Sequence, residues 1–519
     1  MGKHRLKWRV IFPGVVLSVL TALMGLGCQA PDITKPEPPN ILFIMADDHT
    51  AQAWGVYGSH LDSLTPTPNI RRLATEGCLL LNCFCTNSIC VPSRASILTG
   101  QYSHRNRVYT LSESLDPGSD HVAKILRRNG YQTALVGKWH LKTQPEGFDH
   151  FNVLPGQGRY FDPILKTRES WDEGEVYEGF STDVITDLGL QWLAERKPGQ
   201  PFFLLCHYKA VHEPFAYAER FQDLFQAREM PEPESLYEFG SESSGRSFSG
   251  QVLEILGQRY EQNPNRRYPG ESFSLEGLSP RQARKKIYQK FIKDYLRGVA
   301  GLDENIGRLL DYLDRTGLTE NTVVIYTSDQ GYFLGEHGFF DKRIMYEEAL
   351  RMPFLIRFPR EIRPGTRISD IILNCDFAPL FLDYAGIDIP PFMQGTSFRP
   401  NLLGFTPENW RKSMCYRYWL HQVQRPAHFG IRTDRYKLIF FYGEPLDMPG
   451  SHPEPTEPEW EFYDLQKDPR ELHNAVHDPA YFTIIQGLKA DLRRLRQELG
   501  DTDESYPRMQ EILSRHWDR

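Results

Sequence analysis

Cys90, Pro92, Ser93 and Arg94 spell C-x-P-S-R inside the run S-I-C-V-P-S-R-A-S-I-L-T-G, Ser88 to Gly100. Pro92 favours an extended Val91 and can open a helix. Arg94 then falls in that helix's first turn, and Cys90 stands just ahead of its N-terminus, where backbone N–H groups favour anions. Asp47 and Asp48 follow an apolar run, N-I-L-F-I-M, and two adjacent carboxylates repel each other unless a cation lies between them. A second oxygen-bearing pair, Asp329 and Gln330, follows Thr322 to Thr327. Lys138 and His140, separated by one residue, can converge on one anion. Lys209 and His212 come after P-F-F-L-L-C-H-Y, and Lys342 lies in a loop beyond Gln330. Taken singly, each has a plainer reading: a buried Cys, a solvated acidic turn, a structural G-K-W-H.

The elements that must carry these groups are short apolar strands alternating with helices. Asn40 to Met45, Tyr131 to Val136, Pro201 to Tyr208 and Thr322 to Thr327 read as buried parallel strands. Each delivers its polar residues at the carboxyl end, where open α/β sheets place their sites. Helices are expected from Thr67-Pro68 to Glu76, over Ser119 to Asn129, over Ser181 to Arg196 and over Gln282 to Thr316. His207, inside an apolar run, reads as a core histidine. The fold class is α/β, a mostly parallel sheet with helices on both faces. Residues 40–400 form the main domain, with an insertion at about 214–279 that lacks a sustained period and is too long for an ordinary connection. Residues 401–519 form a smaller α+β unit with an antiparallel sheet, including Y-K-L-I-F-F-Y from Tyr436, and a basic amphipathic helix over Ala480 to Leu499.

About 40% hydrophobic and 24% charged residues describe a globular chain. A net charge of −7 excludes long-range steering of nucleic acid or another polyanion, so an anionic substrate must be held by local cations. Residues 1–28 carry a basic start and an apolar run, the pattern of a signal peptide. Gly25-Leu26-Gly27-Cys28 resembles a bacterial lipobox, which makes Cys28 a lipidation candidate, and residues 29–39 are a Pro-rich spacer. Localisation is then periplasmic or outer-membrane-anchored in a bacterium. The other cysteines show no disulfide or zinc spacing and read as buried free thiols.

The Cys90 run, with its downstream Leu98-Thr99-Gly100, resembles the signature of the type I, formylglycine-dependent sulfatases, which have an alkaline-phosphatase-like fold. The resemblance spans about Asn40 to Leu472 and includes Y-K-L-I and F-Y-D-L-x-K-D-P. It implies that Cys90 is oxidised to formylglycine by a maturation enzyme, and that Arg94 steadies it. Asp47, Asp48, Asp329 and Gln330 match the ligands of one Ca2+, with the modified Cys90 joining them; Mg2+ is the weaker choice, since it retains more water. Lys138, His140, His212 and Lys342 match the sulfate-binding cluster. In the family the hydrated aldehyde attacks sulfur, His212 protonates the departing alcohol and His140 acts as base.

The run from Ser328 to Pro353 and H-F-G-I-R-T-D-R-Y-K-L-I are similar to bacterial sulfatases that remove 6-O-sulfate from N-acetylglucosamine in host or algal glycans. Asp341 and His428 are then the sugar contacts, against a plainer reading as a turn cap and a sheet support. Competing functions are an iduronate-2-sulfatase, a choline sulfatase, a phosphomonoester or phosphonate hydrolase, and a silent glycan-binding scaffold.

Overall fold

The computed structural model describes Gly2 and residues 37–237, 252–263 and 267–518. The expected leader, Cys28 and most of the Pro-rich spacer lie outside the described residues, as does the middle of the insertion.

The apolar run at Asn40–Ala46 forms β1, in which residues 41–46 are wholly buried. Around it lie β2 (Cys78–Leu80), β3 (Gln132–Lys138), β4 (His150–Leu154), β5 (Phe202–His207), β6 (Thr322–Ser328), β7 (Phe354–Arg357) and β8 (Thr366–Ile368). The sheet order is β8-β2-β7-β6-β1-β5-β3-β4. Every pairing is parallel except those of β7, which runs antiparallel to both neighbours. The register aligns the strand ends: Ala46 pairs with Ser328, Met45 with His207, and His207 with Gly137. Asp47, Lys138 and Asp329 are the residues immediately beyond.

Helices cover both faces. They are α1 (Pro68–Glu76), α2 (Cys90–Thr99), α3 (Val122–Arg128), α4 (Ser181–Glu195), α5 (Leu253–Gln262), α6 (Pro280–Arg315) and α7 (Phe377–Tyr384). Strand alternation sorts β1 between two cores. Ile41, Phe43 and Met45 pack with α2, α3 and α7, whereas Leu42, Ile44 and Ala46 pack with α1, α4 and α6. Each such side chain contributes about 1.5–3 kcal/mol on burial. The helix expected over Ser119 to Asn129 is shorter at both ends. The insertion contains a helix, α5, that its irregular composition concealed. Its Leu253, Leu256 and Tyr260 are buried in the second core.

The C-terminal sheet is β9 (Ser413–Tyr418), β10 (His428–Thr433), β11 (Tyr436–Phe441) and β12 (Glu459–Asp464), antiparallel throughout. One face, with Phe429, Ile431, Leu438 and Phe462, packs on α8 (Phe482–Leu499) and α9 (Pro507–His516). The other, with Tyr416, Tyr418, Ile439 and Phe441, joins the core under α2 and α7. Residues Pro38–Arg519 thus form one body. All seven described cysteines are buried and unpaired, as the spacing predicts.

The backbone leaves β3 through Gly137, with φ of 101° and the His207 carbonyl oxygen 1.9 Å from where a Cβ would stand. Only glycine fits both constraints. Gly137→Ala is expected to cost more than about 3 kcal/mol. A large fall in thermal midpoint or in soluble yield checks this; wild-type stability would contradict it.

Candidate active site

All ten residues of α2 are buried, from Cys90 to Thr99, and Gly100 ends the helix in the left-handed region at φ 67°. Cys90 is the first residue of the helix rather than the one ahead of it. Arg94, one turn on, donates from Nε and Nη2 to Asp329 Oδ2 at 3.0 and 2.9 Å, and from Nη1 to the Lys138 carbonyl at 2.8 Å. Ser93 Oγ donates to the Asp329 carbonyl and accepts from Asn374 Nδ2 at 3.0 Å. These bonds tie the helix start to the ends of β3 and β6.

The carboxylates meet their cations at those strand ends. Lys138 Nζ donates to Asp47 Oδ2, and to Gln157 Oε1 at 2.6 Å. Lys342 Nζ reaches both Asp48 oxygens at 2.6 and 2.7 Å, and Gln330 Nε2 donates to Asp48 Oδ1 at 2.5 Å. His212 Nε2 lies 3.7 Å from Asp48 Oδ2, while its Nδ1 faces the Glu213 carbonyl at 2.8 Å. Asp48 and His140 hold φ of 64° and 61°, strained values that recur where side chains are aimed at a site.

Burial and charge set the proton affinities. At Asp47 burial favours the proton, yet Lys138, His212, Arg94 and Lys342 together hold the carboxyl well below the usual range. Burial pushes Asp48 up to about 7 against the pull of Lys342, and Asp329 up to about 6 with Asp47 adding to it. Burial lowers His140 to about 2, with Lys138 and Arg94 assisting, and lowers His212 well below its ordinary value. The Cys90 thiol is raised by burial, so the unmodified side chain is a poor thiolate nucleophile.

Whether the residues fit a cation is answered by their oxygens. Asp47 Oδ1 and Gln330 Oε1 are buried without a hydrogen-bond partner. Ligand atoms of Asp47, Asp48 and His212 lie within 4.8 Å of one another, as do those of Asp47, Cys90 and Asp329. The side-chain oxygens of Asp47, Asp48, Asp329 and Gln330 are hard donors of the kind that suits Ca2+ or Mg2+.

A model described as Sulfatase matches residues 39–387, and one described as the C-terminal part of N-sulphoglucosamine sulphohydrolase matches residues 335–498. The chain belongs to the sulfatase family. This sulfatase is 38% identical over 95% of its length to an N-acetylglucosamine-6-O-sulfatase of Bacteroides thetaiotaomicron, 92% of which is covered. Its fold matches the solved structure of BT4656 in complex with its substrate D-glucosamine-2-N,6-O-disulfate, with a TM-score of 0.80 and 36% identity, covering 91% of this chain and 100% of that one. The phosphonate monoester hydrolase of Silicibacter pomeroyi shares the fold at 24% identity and a TM-score of 0.68, over 90% of this chain and 97% of that one.

The structure brings Asp47, Asp48, Cys90, Arg94, Lys138, His212, Asp329, Gln330 and Lys342 into one contiguous cluster. His140 lies two residues beyond Lys138 and senses Lys138, Arg94 and Asp47. Asp341 adjoins the cluster, its Oδ1 4.0 Å from Lys342 Nζ. His428 does not line it. That ring is 1% exposed and stacks on Tyr416; its Nδ1 lies 2.8 Å from the Pro426 carbonyl, and its Nε2 accepts from the Met345 amide at 3.2 Å. Expected as a sugar contact, it packs beside the segment after Lys342, with both ring nitrogens on backbone groups.

Sequence reasoning missed Gln157, the second partner of Lys138, and the pair Arg343 and Arg425 on Asp341. It also left out Lys209, which is buried against the Tyr160 ring at 4.8 Å and lowered to about 8 by burial and then Lys138. The D-K-R run holding Arg343 was a readable hint; nothing local marked Gln157 or Arg425.

A cation bound by these carboxylates only in the native state would stabilise the fold by about 2.7 kcal/mol at roughly 100 times its Kd. Treatment with EDTA is therefore expected to lower the thermal midpoint by a few degrees, and added Ca2+ to restore it. A midpoint indifferent to both would mean that Lys138, Lys342 and Arg94 alone satisfy the cluster.

Proposed function

We propose that this sulfatase hydrolyses the 6-O-sulfate of N-acetylglucosamine in host or algal glycans. The observation that carries the substrate is the 38% identity, over nearly the whole chain, to an enzyme of that specificity. The buried cluster supports the chemistry: a region lined by Arg94, Lys138 and Lys342 suits a sulfate group whose charge grows as the ester breaks.

In this reading Asp47, Asp48, Asp329 and Gln330 hold one Ca2+, which would polarise sulfate oxygens. Oxidation of Cys90 to formylglycine by a maturation enzyme provides a hydrated aldehyde as the oxygen nucleophile. The remaining work belongs to side chains already in place. Lys138 and Lys342 hold the sulfate oxygens. The contact between His212 Nδ1 and the Glu213 carbonyl keeps a proton on that nitrogen and aims Nε2 into the site. A bound sulfate raises the proton affinity of His212, which then protonates the departing sugar oxygen. His140 is the base, its proton affinity, held down by burial and by Lys138 and Arg94, rising when the sulfate anion is bound. Asp341 orients the sugar hydroxyls, and His428 acts at one remove through the segment it packs beside.

Among the described residues both candidate metal clusters contain Asp47. The N-terminal pattern supports export to the periplasm or, through Cys28, attachment to the outer membrane. Among the described residues no helix is long and apolar enough to cross a membrane.

Protein co-expressed with a formylglycine-generating enzyme and loaded with Ca2+ is expected to release sulfate from N-acetylglucosamine-6-sulfate. It should be inactive on choline sulfate, an unsaturated 2-sulfo-uronate disaccharide and a phosphomonoester. Cys90→Ala should fold and release nothing. Turnover of another sulfate would replace the substrate; Cys90-dependent phosphate release ahead of every sulfate would replace the reaction.

A further inference from the structure

His212 enters the site on a side chain that little else holds. Among the described residues its ring has one hydrogen bond, between Nδ1 and the Glu213 carbonyl at 2.8 Å, while Nε2 stops 3.7 Å from Asp48 Oδ2. Lys342, by contrast, is fixed by both Asp48 oxygens at 2.6 and 2.7 Å. The bond made by one ring nitrogen sets where the other points. The aim of His212 therefore depends on the Glu213 peptide, and so on whatever holds Glu213.

The insertion holds it. Arg259 Nη1 donates to both Glu213 carboxylate oxygens, at 3.0 and 2.8 Å, and Tyr268 OH donates to Oε1. Glu213 is 13% exposed, so water screens the pair only in part, whereas Arg259 at 42% can be replaced without opening a core. Arg259 stands on α5, whose Leu253, Leu256 and Tyr260 are buried in the second core. Tyr268 is fixed in turn. Its ring meets Tyr260 edge to face at 4.9 Å, and its backbone N–H and carbonyl bond the Asn263 side chain at 2.8 and 3.1 Å. The same part of the insertion reaches the Lys342 segment: Val252 forms an antiparallel bridge with Phe339, and the Arg259 guanidinium lies 5.2 Å from the centre of the Phe340 ring. One guanidinium thus stands between the two segments that carry His212 and Lys342.

We propose that Arg259, assisted by Tyr268, is a positioning residue for the reaction, setting through Glu213 the aim of His212 at the departing sugar oxygen. This rests on the reading of His212 as the proton donor, and it makes the insertion part of the catalytic apparatus. A sugar alkoxide is a poor leaving group and departs as its oxygen is protonated. A nitrophenolate, stabilised by its own ring, departs without that proton. A misaimed His212 therefore slows the sugar ester more than the nitrophenyl ester, whereas damage to Lys342 or to the fold slows both alike.

The test measures kcat and KM of the matured, Ca2+-loaded chain on N-acetylglucosamine-6-sulfate and on 4-nitrophenyl sulfate, for wild type, Arg259→Gln, Arg259→Lys and His212→Ala. A catalytic group misplaced by about 1 Å loses on the order of 100-fold, so the ratio of kcat on the sugar ester to kcat on the nitrophenyl ester is expected to fall by about 10- to 100-fold in Arg259→Gln. KM for the sugar should barely move, because ground-state binding is untouched. Arg259→Lys keeps a charge on Glu213 and should recover part of the ratio. Should Arg259→Gln fail to fold, Tyr268→Phe, which removes a single hydrogen bond, is expected to lower the same ratio. Equal losses on both esters, or no loss on the sugar ester, would overturn the positioning role. His212→Ala separates that failure from failure of the underlying reading: if it leaves the ratio unchanged, His212 is not the proton donor and the proposal falls with it. If the wild type releases no sulfate from the sugar ester, the proposed function fails on its own. Where the wild type leaves either ester intact, crystal structures of wild type and Arg259→Gln decide the positioning. A His212 ring that has left the Glu213 carbonyl in the variant supports it, and an unmoved ring refutes it.

Discussion

Asp47, Asp48 and Asp329 carry like charges into a region from which water is excluded, and everything around them answers that fact. At about 4 Å, two unit charges in a partly polarisable interior interact by roughly 4 kcal/mol. Three carboxylates cannot stay ionised at such spacing without close cations. Lys138, Lys342 and Arg94 supply them, each buried and each on a different element. The charge pairs are weak evidence for stability, because desolvation offsets much of their attraction. Their value lies in the geometry they enforce.

That geometry depends on register. β1 and β6 are paired so that Ala46 opposes Ser328, which sets the acidic residues of two remote segments shoulder to shoulder. β5 and β3 extend the same edge and bring His212 and Lys138 to it. Helix α2 then enters from one face with Cys90 at its start, anchored through Arg94 and Ser93 to Asp329. A register slip of one residue between β1 and β6 would turn the side chains of the slipped strand to the opposite face.

The second structural commitment is the C-terminal sheet. One of its faces packs on α8 and α9, and the other shares a core with α2 and α7. Glu347 ties the two parts together, its carboxylate bound by Arg432 and Lys437 while its backbone N–H donates to Glu471. The segment bearing Asp341, Lys342 and Arg343 is thereby clamped between the main sheet and the C-terminal unit. His428 belongs to that clamp. Its ring nitrogens lie on the Pro426 carbonyl and the Met345 amide.

The cysteine run, the acid pairs and the alternation of apolar strands with helices were legible because each is a local pattern. Residue type and spacing announce strand ends, helix starts and clustered oxygen-bearing side chains without knowledge of the fold, and the mostly parallel α/β architecture follows from the same alternation. The helix at Leu253–Gln262 was not legible, since the composition around it is dominated by loop-forming residues and its apolar face is short. Nor were the pairings of Asp48 with Lys342, Arg94 with Asp329 or Asp341 with Arg425, which join positions 294, 235 and 84 residues apart. Sequence by itself determined which groups could do chemistry; tertiary structure decided which carboxylate each cation meets and which charge is left over, because those depend on strand order, register and the docking of a distant sheet.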